Sequence, residues 1–168
     1  MGLAPAAHGG NRTGRMFTGD DSGLWLLRAM HGTGFANLPT SERRDDGLEL
    51  RGAYITAAAR CAPPDNKPTL DELARCRPYL IREREVLGQV RVIVALGRIG
   101  FAAVLATERA CGRVVPKPVP TFGHGSEAKL RSITLLGSYH PSRQNTQTGK
   151  LTASMLGAIF ARARELVG

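Results

Sequence analysis

The chain has no apolar run approaching the roughly 20 residues that a membrane-spanning helix needs, and no charged-then-apolar leader opens it. A cytoplasmic protein with no membrane partner is therefore expected. Cysteine is scarce: Cys61, Cys76 and Cys111 make an odd number, which argues against a disulfide framework and leaves metal binding or core packing as their uses. Acidic residues are few as well, 14 against 23 Lys and Arg, giving a formal charge of +9. That balance is the footprint of a protein that meets a polyanion. Arg outnumbers Lys 19 to 4, a bias that GC-rich coding alone produces, so the charge has to be joined to a site before it argues for nucleic acid. No carboxylates cluster as metal ligands, which weighs against a metal-dependent phosphate-ester hydrolase.

At 168 residues, 42% of them hydrophobic, the chain is read as one domain over 1–168. Tyr54 to Ala59, Val90 to Leu96 and Ile133 to Tyr139 are short apolar runs bounded by Gly, Pro or charge, as buried parallel strands are. Helical patterns cover Asp21 to Met30, Ile99 to Leu105 and Met155 to Val167. Thr69-Leu-Asp-Glu72 reads as a capping box opening a further helix, which Pro78 is expected to bend or restart. Strands alternating with helices predict an α/β domain with a mostly parallel sheet. Val114 to Gly125, rich in Pro and Gly, is expected to be a long surface loop.

Ligands of such sheets sit beyond the carboxyl ends of the strands. Three strand-end loops are unusual, beginning at Gly2, Cys61 and His140. Gly2 to Asp20 is polar and glycine-rich, with Arg12 and Arg15 placed to meet phosphate, yet matches neither the P-loop nor the dinucleotide fingerprint. His140-Pro-Ser-Arg-Gln-Asn-Thr-Gln-Thr-Gly149 follows an apolar strand and offers an imidazole, an arginine and a row of amides and hydroxyls, a composition suited to nucleic acid.

Gly2-Leu-Ala-Pro-Ala-Ala-His-Gly with Asn11-Arg-Thr-Gly-Arg-Met-Phe-Thr-Gly-Asp20, then Cys61-Ala-Pro-Pro-Asp-Asn66, then Ser138-Tyr-His140-Pro-Ser-Arg-Gln-Asn145-Thr-Gln-Thr-Gly149, resemble the successive motifs of family 5 uracil-DNA glycosylases in order and spacing. The resemblance implies a three-layer αβα fold around a short, mostly parallel sheet, and a monofunctional, monomeric enzyme that excises uracil, and hypoxanthine or other deaminated bases, from DNA. It implies His140 as donor to the O2 side of a flipped pyrimidine. Asp20 becomes the residue that orients and activates water, although an N-terminal helix cap is its ordinary reading. Phe17 would stack on the extruded base, Gly2 and Ala4 line the pocket, and Asn66 touch substrate or water, although a turn explains that Asn equally well. Arg143 and Gln144 would meet DNA, with Asn145 on substrate or backbone. His8 is a possible assistant, whereas His31 and His124 are read as structural. Leu3 and Ala4 stand where other branches of the superfamily carry an acidic residue, so Asp20 has to substitute.

The resemblance also implies that Cys61 and Cys76 hold half of a [4Fe-4S] cluster, which takes four thiolates. The family's other pair lies ahead of the first motif, and that motif itself needs a strand before Gly2 for which Met1 leaves no room. The expectation is an incomplete domain lacking its first strand, poorly soluble alone, free of cluster and nearly inactive; a non-catalytic DNA-binding module is the alternative.

Overall fold

The computed structural model describes residues 1–168. Six helices, a short 3-10 turn and three strands succeed one another: α1 (Gly10–Thr13), α2 (Asp21–Gly32), the turn Pro64–Asn66, α3 (Leu70–Val86), β1 (Val92–Leu96), α4 (Arg98–Ala110), β2 (Glu127–Lys129), β3 (Thr134–Ser138), α5 (Arg143–Gln147) and α6 (Ala153–Val167). None of the helices is long and apolar enough to cross a membrane.

The sheet has the order β1-β3-β2. β1 and β3 run parallel, Val92 opposite Thr134 through Leu96 opposite Ser138, and β2 adds an antiparallel edge. Because side chains alternate across a strand, Ala95 and Leu135 face α4, joining Phe101, Val104 and Leu105, while Leu96 and Leu136 face α2 and α6. On that second face Leu26, Leu27 and Met30 meet Leu156, Ile159 and Phe160. Two cores on opposite faces make the three-layer αβα arrangement.

Local chemistry accounts for the helix ends. Thr69 and Glu72 form the reciprocal capping box, and Asp20 Oδ1 accepts the Gly23 amide at 2.8 Å to start α2. α3 runs through Pro78 as one helix rather than restarting there. Only Leu80 of α3 is buried, so the lost backbone bond sits on an outer layer rather than in the core.

The largest departure is Tyr54 to Ala59, which is extended but pairs only around one parallel bridge, Gly2 with Ala57. The Gly2 amide donates to the Thr56 carbonyl at 2.8 Å, and the Ala58 and Ala59 amides donate to the carbonyls of Gly2 and Leu3 at 3.0 and 2.8 Å. On its other side Met1 donates its amino group to the Val94 carbonyl at 2.8 Å and accepts the Leu96 amide at 2.9 Å. A ladder needs a neighbour of matching length, and here Met1 to Leu3 supply three residues between Tyr54–Ala59 and β1. Towards the amino end of β1 the two flanks stand apart around a cleft of about 640 Å³, whose walls include Ile55, Leu80, Val92, Val94 and Val104.

Candidate active site

The site forms at the opposite, carboxyl end of the strands. The β1–β3 ladder closes with the Gly97 amide on the Ser138 carbonyl at 2.7 Å, and the chain then leaves the sheet through Tyr139 into His140. Asn145 Nδ2 holds the His140 carbonyl at 2.8 Å, and the Ser142 hydroxyl caps the short α5 that carries Asn145. The His140 ring lies against the ring of Phe17, centroids 6.1 Å apart and tilted by 32°. Burial, helped by the charge of the Met1 amino group, lowers the imidazole to about 4. At neutral pH it is therefore an uncharged ring with one N–H to donate.

Phe17 reaches this position at a cost. Its φ of 57° is left-handed, unusual for a bulky residue, and it is nonetheless buried at 5% exposure. Two glycines make room: a Cβ on Gly2 would fall 2.9 Å from the Phe17 ring, and one on Gly23 would fall 2.1 Å from its carbonyl oxygen. Asp20 follows three residues later, half-buried at the cap of α2. Burial raises its carboxyl above the usual range, against the opposing pull of the Gly23 and Ser22 amides. A Cβ on Gly9 would lie 2.4 Å from Asp20 Oδ2, so glycine there keeps the carboxylate in place. Capping and water activation are compatible, because the Gly23 amide engages Oδ1.

Other residues singled out from the sequence are placed differently. Gly2 lies beneath Phe17, but its N–H and C=O are taken up by Thr56 and Ala58, so it shapes the pocket without offering hydrogen bonds. Ala4 follows, half-buried. Asn66 sits in the exposed Pro64–Asn66 turn with φ 54° and makes no side-chain hydrogen bond to His140, Phe17 or Asp20. Arg15 is turned inward rather than towards phosphate. Its guanidinium donates to Thr18 Oγ1, Ser41 Oγ, Asp46 and the carbonyls of Arg43 and Arg44, pinning the first loop to residues 41–46. Arg12 is exposed and bonds only the His8 carbonyl, at 3.1 Å. Arg143 and Gln144 are exposed on α5, where Arg143 pairs with Asp21 at the start of α2.

A model of the uracil DNA glycosylase superfamily matches residues 1–164. The chain belongs to that superfamily. It is similar to type-5 uracil-DNA glycosylases: 51% identical to that of Mycobacterium bovis over all of this chain and 62% of the relative. It is 49% identical to that of Thermus thermophilus over all of this chain and 74% of the relative. With the Pyrobaculum aerophilum type-5 enzyme the identity is 44% over 97% of this chain and 69% of the relative. These values place it in the type-5 branch, and it spans a little under two thirds of the length of the Mycobacterium bovis relative.

For a superfamily in which four thiolates were expected to bind a cluster, the fit is partial. Cys61 is exposed, and Cys76 Sγ accepts the Arg60 amide at 3.4 Å, which brings the second cysteine beside the first. No third His, Cys, Asp or Glu joins them. A [4Fe-4S] cluster takes four thiolates, of which Cys61 and Cys76 would supply two.

Proposed function

We propose that this protein is a monofunctional DNA glycosylase that removes uracil, and through the room beside Ala4 also hypoxanthine or other deaminated bases, by hydrolysing the N-glycosidic bond. The observation that carries this reading is a half-buried His140, uncharged at neutral pH, packed against a strained Phe17 at the strand end. A base swung out of the duplex stacks on Phe17, since it cannot be attacked inside the helix. As the C1′–N bond breaks, its electron pair moves onto the base, and the His140 N–H stabilises the negative charge at O2. Asp20 orients a water and takes its proton while the new C1′–O bond forms. The products are an abasic deoxyribose and the free base, which takes up a proton. A preformed neutral donor needs no reorganisation as charge develops, which is where such a site gains most.

Outside the pocket, the exposed side chains of Arg12, Arg143 and Gln144 would meet the phosphate backbone. The test is incubation with a uracil-containing oligonucleotide followed by alkali, which cleaves only at abasic sites. His140→Ala should slow single-turnover excision by about 100-fold or more with DNA binding largely kept. A parent chain that binds DNA and leaves uracil in place would identify it instead as a non-catalytic DNA-binding module.

A further inference from the structure

We propose that His124 is a positioning residue for His140: its Nδ1, as acceptor of the Tyr139 amide, fixes the backbone from which the base-contacting imidazole projects. The proposal rests on the reading of His140 as that donor. His140 lies beyond the last rung of the sheet, so the ladder does not hold it. Side chains do. Asn145 holds its carbonyl, and on the other side His124 Nδ1 accepts the Tyr139 N–H at 3.2 Å, with the two rings stacked at 5.1 Å and 30°. Together they hold the peptide unit that enters Tyr139 and the one that leaves His140, bracketing the two-residue stretch that carries the imidazole.

The His124 side of the clamp is rigidly mounted. The Gly125 amide donates to the Gly137 carbonyl at 2.9 Å, and the Gly137 amide donates to the Ser126 carbonyl at 2.8 Å. Ser126 Oγ in turn closes the Gly123 turn, donating to its carbonyl at 2.8 Å and accepting its amide at 3.2 Å. The loop crosses β3 so closely that a Cβ on Gly137 would lie 2.4 Å from both the Gly123 carbonyl and Ser126 Oγ. Glycine at 137 permits a crossing that puts His124 over Tyr139, whose ring is also met by Phe122 at 6.3 Å and by Lys150 Nζ at 4.9 Å. Accepting at Nδ1 requires the neutral ring with its proton on Nε2. Partial burial keeps His124 on that side by lowering its basicity. Two alternatives are plain packing of a ring on a ring, and a fold-level role without effect on chemistry.

Two variants of the full chain separate these. His124→Phe keeps the stacked ring and removes the acceptor, whereas His124→Asn removes the ring and keeps an acceptor oxygen near the place of Nδ1. Displacing a catalytic group by a fraction of an ångström to 1 Å costs on the order of 10- to 100-fold. His124→Phe is therefore expected to slow single-turnover uracil excision by about 10-fold or more, with affinity for abasic-site duplex within about 2-fold, and His124→Asn to recover most of the rate. In the free protein the Tyr139 amide should exchange at least about 10-fold faster in His124→Phe, and the His140 ring resonances should shift in that variant but not in His124→Asn. The proposal is overturned if His124→Phe excises at the parent rate, if His124→Asn falls as far as His124→Phe, or if affinity drops in step with rate. Should the parent excise nothing, the glycosylase reading fails first. The exchange and resonance measurements then still decide whether His124 holds the His140 backbone, and unchanged spectra in His124→Phe would overturn it.

Discussion

His140 is held neutral chiefly by burial, and that has a measurable consequence for stability as well as for chemistry. Its imidazole falls from an ordinary 6.5 to about 4 in the folded chain. Above pH 6.5 neither the folded nor the unfolded state protonates it, so it contributes no pH dependence. As pH drops below 6.5 the unfolded chain takes up a proton that the folded chain refuses, and stability is lost progressively until pH falls through about 4. Each unit of difference is worth about 1.4 kcal/mol, so the full loss is about 3 kcal/mol. Urea denaturation of the parent and of His140→Asn at a series of pH values isolates it, because the difference between the two curves cancels the titration of Asp20 and the other carboxyls. The difference should be flat from pH 8 to 6.5 and then slope. Excision should in turn not rise as pH falls from 8, since the donor is the neutral ring throughout and protonating Asp20 only removes the base. Parallel stability curves, a His140 titration midpoint near 6.5 by NMR, or a rate that climbs tenfold per unit as pH falls would refute the neutral-donor mechanism.

The two roles of Asp20 separate by substitution: Asp20→Asn keeps a capping oxygen and Asp20→Ala does not, so both should slow excision while only Asp20→Ala loses about 1 kcal/mol in thermal or urea unfolding. Equal excision by all three proteins would remove Asp20 from the mechanism. Arg143 is paired with Asp21, so Arg143→Ala should weaken DNA binding and lower the salt slope by about one, whereas Asp21→Asn, which frees the guanidinium, should tighten binding at low salt. A salt slope unmoved by Arg143→Ala would show that it meets no phosphate.

How far the sequence could be read depended on the range of the interaction. Val92–Leu96, Thr134–Ser138 and the helices α2, α4 and α6 declare themselves through periodicity, and Asp20 and Thr69 through cap chemistry within three residues. β2 does not: three residues at a sheet edge, with only Ala128 turned partly inward between exposed Glu127 and Lys129, are too few to carry a pattern, and they lie just beyond the segment read as loop. The inward turn of Arg15 was equally hidden, since its partners Ser41 and Asp46 stand 26 and 31 residues away and its position in a polar glycine-rich loop favoured phosphate. The bond from Tyr139 to His124 spans 15 residues out of a Pro- and Gly-rich loop. The trace it leaves is a histidine between two glycines, and that alone does not separate a ligand-facing ring from a structural one. His140 and Phe17 were legible as site residues only through whole motifs, and the left-handed backbone of Phe17 shows up in sequence only as the small residues Gly2 and Gly23 that must accommodate it.

Those glycines also join the two ends of the sheet. Gly2 supports the Phe17 ring, and the same residue hydrogen-bonds Thr56 and Ala58, while Met1 one step earlier bonds Val94 and Leu96 above the apolar cleft. Three residues thus form both the floor of the base pocket and the upper lip of the cleft. Phe17 in turn packs against His140. A shift of Met1 to Leu3 relative to β1 would move the Phe17 ring, and with it the surface on which the base stacks, without touching His140, Asp20 or DNA. What fills or loosens the cleft between Ile55 and Val92 therefore acts on the pocket through one short stretch of backbone. Substitutions along that cleft should appear in excision rates before they appear in DNA affinity, because Arg12 and Arg143, the arginines proposed to meet phosphate, stand on other elements.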